Sequence, residues 1–280
     1  MTDIQVEILN IFREFKRICD ENGLRYFAIG GTCIGAIRHK GFIPWDDDLD
    51  VAMPWEDYMK FRTVAAKKVR EPFELFDSNE HKHSLVRFLK LHNKNTTFIE
   101  EYQENNGDRY TGIFMDIMPI TGFPDDDSIK DKFFKKCIWY SKLNAACRFE
   151  VTHKPTLKSK LFSIATIPLT IGKPFNYYSL KYEEYIAQNR FGETSRVLFP
   201  WRIPVRAPYK NVFPYEIFKE SVEVPFEDTT IRVPKEYDRY LKMDFGDYMK
   251  LPPEEKRHGG HPAAVIDFNK SYKEYKEIKK

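Results

Sequence analysis

Residues 29–51 read IGGTCIGAIRHKGFIPWDDDLDV, a Gly-Gly turn placed shortly before the aspartates at 46, 47, 48 and 50. Glycine tolerates backbone conformations that other residues avoid, and it lets a phosphate approach exposed N–H groups. Carboxylates supply the hard oxygen ligands that Mg²⁺ takes. Together they point to metal-dependent phosphate chemistry. The same stretch orders the local fold. Leu24 to Ile29 reads as a short buried strand ending at Gly30-Gly31, and Thr32 to His39 as a helical turn with Cys33, Ile34 and Ile37 facing inward. Phosphate-facing amides would then lie at a helix start. Pro44 breaks the chain, and Asp48 to Met53 alternates polar and apolar residues, which predicts a strand carrying Asp46, Asp48 and Asp50 on one face.

Upstream, Ile4, Ile8, Ile11, Phe12, Phe15 and Ile18 recur at helical spacing, and Glu21-Asn22-Gly23 closes the pattern as a helix stop. Downstream, Pro54 ends the strand and Trp55 to Val69 reads as an amphipathic helix. Phe73 to Phe76, Val86 to Leu91 and Gly112 to Ile117 are strand candidates. A charged and aromatic helix is expected over about 127–148, followed by the loop His153-Lys154-Pro155. Beyond Arg190, repeated prolines and aromatics suggest irregular structure packed on the first half. The composition shift near 150 divides the chain into a catalytic core, 1–150, and a mainly helical or irregular elaboration, 151–280, that completes the substrate site.

The chain has 280 residues, enough for a sizeable core, and 42% hydrophobic with 15% aromatic residues argues against disorder. A net charge of +3 is too mild to indicate nucleic-acid binding. Cys19, Cys33, Cys137 and Cys147 form no C-x-x-C pair and have no histidine at finger spacing, so neither zinc nor a disulfide framework is indicated. Isolated thiols and an N-terminus unlike a secretory signal give a cytoplasmic expectation, at the inner face of the membrane if the protein touches one. The longest apolar run, Leu161 to Gly172, is short of the ~20 residues a spanning helix needs.

A two-metal phosphoryl or nucleotidyl transfer site needs closely spaced carboxylates, because the cations hold phosphate oxygens while charge shifts in an in-line displacement. Asp48 and Asp50 have that spacing. Asp116, inside GIFMDIMPI, is the best candidate for a third carboxylate, since a charge among apolar neighbours needs a partner such as a metal or a reacting hydroxyl; the alternative is an acid on the exposed side of its strand or one satisfied by a buried Arg. The competing readings are a solvated acidic edge, a calcium loop and a glycosyltransferase-type Asp-x-Asp. The calcium loop largely fails, because Val51 stands where its glycine is needed and Asp57 where its bidentate Glu is expected. Arg38 and Lys90 are cations placed to engage a diphosphate, with ordinary surface solvation as the alternative.

Read with YFAIGG, WEDYMKF, KLHNKNTTF, MDIMPI and YLKMDFGDYMKLPP, the opening stretch closely resembles the signature of the LicD family. Residues from about 125 to 225 contribute least. The resemblance implies an α+β, nucleotidyltransferase-type core with a small mixed sheet flanked by helices. It also implies transfer of a phosphorylated alcohol from a CDP-activated donor, CDP-choline being favoured, to a glycan or teichoic acid precursor. On this analogy Gly30, Gly31 and Thr32 approach the donor diphosphate, while Asp48, Asp50 and Asp116 hold two Mg²⁺ or Mn²⁺ ions. The remaining alternatives are a small-molecule nucleotidyltransferase, a nucleotide-sugar glycosyltransferase and a nucleotide-binding scaffold that has lost catalysis.

Choline would call for an aromatic cage. Tyr102, Tyr110, Trp201 and Tyr209 illustrate the supply, each also readable as ordinary packing. KSKLFSIATIPLTIGKPF carries apolar residues with lysines at both margins. Its ordinary reading is a buried helix or hairpin, and the alternative is peripheral membrane contact through 160–174, where a lipid-linked acceptor would be displayed.

Overall fold

The computed structural model describes residues 1–82, 84, 86–101, 110–148, 156–201, 203 and 208–278. Helix α1 (Asp3–Asn22) is the expected amphipathic one. Thr2 and Gln5 form its capping box, and Gly23, at φ 62°, turns the chain out at its end. Ile8, Ile11, Phe12, Phe15 and Ile18 are each at most 1% exposed, and burial of one such side chain contributes about 2 kcal/mol.

Strand β1 (Phe27–Ala28), helix α2 (Gly30–Arg38), strand β2 (Asp50–Pro54) and helix α3 (Trp55–Lys68) follow. Then come β3 (Phe73–Asp77), β4 (Leu89–Asn93), β5 (Thr97–Glu100) and the long β6 (Phe114–Phe123). Among the described residues the main sheet runs β1-β2-β6-β4-β3. Only β2 and β6 are parallel in that run, and the other pairs are antiparallel, so the sheet is mixed. Helices α1 and α3 pack on β6.

Strand β6 passes through Pro119, where the sequence suggested an end. The ladder with β4 covers only Phe114 to Ile117, so the missing N–H at Pro119 leaves no β4 carbonyl unpaired. The strand predicted over 86–91 is likewise displaced to Leu89–Asn93, and β5 was not anticipated.

Helices α4 (Lys130–Arg148), α5 (Leu157–Ala165), α6 (Ile167–Thr170) and α7 (Tyr177–Ile186) come next. The expected boundary near 150 and the loop 153–155 lie outside the described residues. Beyond Arg190 the expectation of a mainly irregular segment is corrected. Strands β7 (Arg196–Leu198) and β8 (Val212–Pro214) extend the main sheet from the far half of β6. After α8 (Tyr215–Phe218), β9 (Ser221–Phe226) and β10 (Thr229–Pro234) form a hairpin, followed by α9 (Tyr237–Phe245). Strand β11 (Ala263–Asp267) pairs with β5 before α10 (Tyr272–Ile278). Two of the prolines that suggested irregularity close these strands, Pro214 and Pro234, where the next ladder bond is not needed.

Candidate functional site

The register of three strands builds the floor of the site. Asp50 on β2 stands opposite Asp116 on β6, and Asp116 opposite Lys90 on β4, so the three side chains form a row on one face of the sheet. Lys90 and Asp116 are each 5% exposed. Their Nζ and Oδ1 atoms are 2.9 Å apart. The ammonium also lies 3.3 Å from the Phe114 ring centroid, and His261 stands edge-on to that ring. The buried acid inside GIFMDIMPI thus has a lysine for its partner, and that lysine is the one the sequence offered to a diphosphate.

Asp46 and Asp48 do not sit on a strand as expected, and Asp47 lies in the same loop. The strand begins at Asp50, because the chain first turns at Pro44, with Asp46 N donating to the Ile43 carbonyl at 2.9 Å. Buried Gln5 of α1 then donates to the carbonyls of Ile43 and Asp46 at 3.1 and 2.9 Å, fixing the loop away from any ladder. The loop still brings its acids to the row, since Asp46 shares a hydrogen bond with Asp48, Asp50 feels the charge of Asp48, and both Asp48 and Asp50 feel that of Asp116.

The glycines make this approach feasible. Helix α2 starts at Gly30, earlier than expected, so both glycines lie in its first turn. Gly30 has φ 56°, and a Cβ there would sit 3.6 Å from Asp50 Oδ2. A Cβ on Gly31 would come within 2.8 Å of Asp46 Oδ2. The positive end of the helix therefore borders the acids. Thr32 acts as a brace, its hydroxyl accepting from Asp50 N at 2.8 Å, and the Gly30 amide donates to the Tyr240 hydroxyl at 3.0 Å.

A C-terminal segment closes over the cluster. Gly260 N donates to Asp47 Oδ1 at 2.9 Å and His261 N to Asp47 Oδ2 at 3.2 Å, with the His261 ring 3.3 Å from Asp47 and 3.5 Å from Asp48. Strand β11 holds this segment in place on β5, whose buried Glu100 lies 4.0 Å from His261 Nε2.

Crowded carboxylates resist ionisation. Burial raises Asp46 to about 7, with the charges of Asp48 and Asp47 adding to it. Burial also lifts Asp48 to about 6, against the lowering pull of His261 and helped by the charges of Asp116 and Asp47. Asp50 stands well above the ordinary carboxylate range, through burial and then the charges of Asp48, Asp116 and Asp46. Asp47 behaves differently, because the hydrogen bonds from His261 and Gly260 outweigh its burial and hold it low. Burial opposes the charge on His261, yet Asp47, Asp48, Asp116 and Glu100 raise the imidazole to about 9.

These values sort the donors. Asp47, Asp48 and His261 offer ligand atoms within 4.8 Å of one another. Asp47 accepts from Gly260 N and His261 N and lies 3.3 Å from the His261 ring, so the pair latches the 259–261 turn onto the loop, and a metal there would have to displace the imidazole proton. Asp46, Asp48 and Asp50 are half-buried carboxylates that lie near one another, and carboxylate oxygens are the donors a hard divalent cation takes.

Of the residues singled out in the sequence, the structure gathers Asp48, Asp50, Asp116, Gly30, Gly31, Thr32 and Lys90. Arg38 is not among them. It lies at the other end of α2, about 12 Å along the axis from Gly30, and donates to the Tyr248 carbonyl at 2.6 Å. Among the aromatics, Tyr102 lies outside the described residues, Tyr110 is buried in a separate cluster with Ile99 and Tyr272, and Tyr209 hydrogen-bonds Asp131. Trp201 packs on Phe88, whose ring centroid lies 5.8 Å from Lys90 Nζ. Sequence reasoning missed His261, Glu100, Gln5 and Tyr240. Only Gly259-Gly260-His261-Pro262 carries a local signal, a tight turn presenting an imidazole.

Over 270 residues the chain is 29% identical to the lipopolysaccharide cholinephosphotransferase LicD of Haemophilus influenzae, covering 92% of this chain and 94% of that one. An uncharacterized protein of Rickettsia typhi is 32% identical over 59 residues, 21% of this chain and 19% of its own, and one of Rickettsia prowazekii is 30% identical over 59 residues, 21% and 22%. Residues 23–165 match the family model described as LicD/FKTN/FKRP, nucleotidyltransferase domain. That match spans half of the chain, includes the whole of the glycine and aspartate stretch, and shows that the chain belongs to the LicD/FKTN/FKRP family.

Proposed function

We propose that this protein transfers phosphocholine from CDP-choline to a hydroxyl of a cell-surface glycan, releasing CMP, on a nucleotidyltransferase-type core. The Haemophilus relative, aligned over nearly its whole length, supports the reaction class and a glycan acceptor. The observation that carries the reading is the row Lys90–Asp116–Asp50 with Asp46 and Asp48 gathered beside it at the start of α2.

Asp48 and Asp50, with Asp46 and Asp116 beside them, would hold two Mg²⁺ or Mn²⁺ ions. Bound there, the ions supply charge stabilisation to the donor phosphates and the leaving group. The rest belongs to the protein. The first turn of α2, at Gly30 and Gly31, is the positive end of a helix and would favour the negative charge of a donor diphosphate. Lys90 neutralises Asp116 and keeps the site from accumulating unbalanced charge. The acceptor hydroxyl oxygen attacks the distal phosphorus, the bond from that phosphorus to the CMP oxygen breaks, and the hydroxyl proton passes to a carboxylate of the row, with Asp116 in the role of base. The latch of residues 259–261 covers Asp47 and limits water at this edge.

Phosphorus NMR of the purified protein with CDP-choline, Mg²⁺ and a glycan acceptor tests the reading. A phosphodiester resonance appearing together with CMP is expected. Pyrophosphate release from a nucleoside triphosphate, without CMP from CDP-choline, would replace it with a nucleotidyltransferase. Transfer from CDP-ribitol or CDP-glycerol in preference to CDP-choline would keep the reaction and change the alcohol.

A further inference from the structure

Helices α5 and α6 bury the wrong side for a helix packed on a water-soluble core. In α5 the only buried residue is Ser163, and α6 buries none. Leu157, Leu161 and Ile164, spaced along one face of α5, are 73%, 57% and 52% exposed, and Ile167, Leu169 and Ile171 are 45%, 45% and 72% exposed. None of the six belongs to the described apolar clusters of the molecule. At the margin, Trp139 of α4 is 42% exposed and meets Phe162 edge-on at 5.8 Å. The segment is therefore not the buried helix or hairpin of the ordinary reading. A contiguous apolar surface of this kind marks an interaction site.

The charge pattern around it selects the occupant. Between Val151 and Tyr182 there is no aspartate or glutamate, although acids make up 42 of the 280 residues, and the same stretch contains Lys154, Lys158, Lys160, Lys173 and Lys181. Lys142 adds a cation beside the Phe162 ring. Self-association through this face would be isologous and would bring two acid-free, lysine-bearing surfaces together. An anionic bilayer instead accepts the aliphatic side chains below its headgroups, the lysines at the phosphates and the indole at the boundary. No helix among the described residues is long and apolar enough to cross a membrane. Nine-residue α5 is about 13 Å long against a hydrocarbon core of about 30 Å, so it would lie in the plane of the interface.

We infer that α5 and α6, with Trp139 at their edge, form a surface that docks this protein on an anionic lipid bilayer. The test needs neither donor nor acceptor, so its outcome is independent of the proposed reaction. The full chain is floated with phosphatidylcholine vesicles prepared with and without phosphatidylglycerol. Flotation with the anionic vesicles, weakened by salt, is expected. Leu161→Glu combined with Ile164→Glu should lower the partition by about tenfold or more, and Lys158→Glu combined with Lys160→Glu should abolish the preference for phosphatidylglycerol. Both pairs are surface changes, so the circular dichroism spectrum and Tm should match those of the parent protein. Absence of binding to anionic vesicles at low salt, or binding unchanged by the Leu161 and Ile164 substitutions, would overturn the inference. So would a dimer, measured by light scattering, that those substitutions dissociate in a protein that never binds vesicles.

Discussion

Replacing Lys90 by methionine keeps the aliphatic stem over Phe114 and removes the ammonium. Asp116 then faces Asp50 and Asp48 with no cation at 2.9 Å. At an effective dielectric of about 20, the 2.9 Å Lys90–Asp116 pair attracts by about 6 kcal/mol. Desolvation of the two ions offsets part of that, and breaking a buried pair from one side costs about 3–5 kcal/mol because a charge is left stranded. In a chain of this size that loss should lower Tm by on the order of 10 °C. Thermal unfolding followed by circular dichroism in EDTA measures it. Asp116→Asn in the Lys90→Met background removes the stranded charge and should recover at least half of the loss. Added Mg²⁺ should raise the Tm of Lys90→Met more than that of the parent, since a divalent cation substitutes for the missing ammonium. Should Lys90→Met melt within about 2 °C of the parent, and the double variant no higher, the pair does not hold Asp116 and Lys90 is free for substrate.

Asp48→Asn and Asp50→Asn should each reduce transfer by about two orders of magnitude or more, and each should raise the metal-free Tm by relieving repulsion; full activity in both variants would remove these residues from the site. Asp46 and Asp48 are raised from 3.8 to about 7 and about 6, so the folded chain binds more protons than the unfolded one between these values. The stability this gives is complete below about pH 4 and is lost as pH rises through 6 to 7; metal-free Tm should fall across pH 5–7.5 and flatten with Mg²⁺, and a rise in EDTA would contradict the charge balance. His261, raised from 6.5 to about 9, contributes stability that is complete below about pH 6.5 and lost as pH rises through 9. His261→Gln should therefore lower Tm by a few degrees at pH 6.5 and hardly at all at pH 9.5, and an equal drop at both would mean that packing, not charge, holds the latch.

Where each part of the site was legible follows from the range of the interaction that builds it. Helix α1 was readable because its apolar stripe and its Gly23 stop are local, and both are present in the structure. Asp116 was identifiable because a charge between Met115 and Ile117 has no local escape, but its partner could not be named. The register that sets Lys90 opposite Asp116 depends on the pairing of two strands separated by the chain from 94 to 113. The alternation of Asp46, Asp48 and Asp50 was misread as strand because Gln5, 38 residues before Ile43, claims the loop carbonyls. His261 arrives from more than 210 residues away, carried by the pairing of β11 with β5. Proline-rich sequence after residue 190 concealed strands because proline is tolerated at strand ends, where a turn reading and a strand reading look alike.

The four aspartates of the loop and β2 are held by parts of the molecule that share no sequence neighbourhood: Gln5 from α1, the glycines and Thr32 of α2, and the 259–261 turn. Such anchoring is needed because the acids repel one another; without it the loop would swing outward into water and the raised values at Asp46 and Asp48 would relax toward 3.8. The fold thus maintains an unfavourable concentration of negative charge at one helix end, with Lys90 and His261 compensating part of it. Strain of this kind persists only where surrounding structure over-determines it, and it is released when a ligand of opposite charge binds. On the proposed reading that ligand is a divalent cation, whose arrival would convert a locally destabilising cluster into a stabilising one. The anchors should therefore matter most for the proposed cation: loosening Gln5 or the latch would let the acids spread apart and weaken its binding.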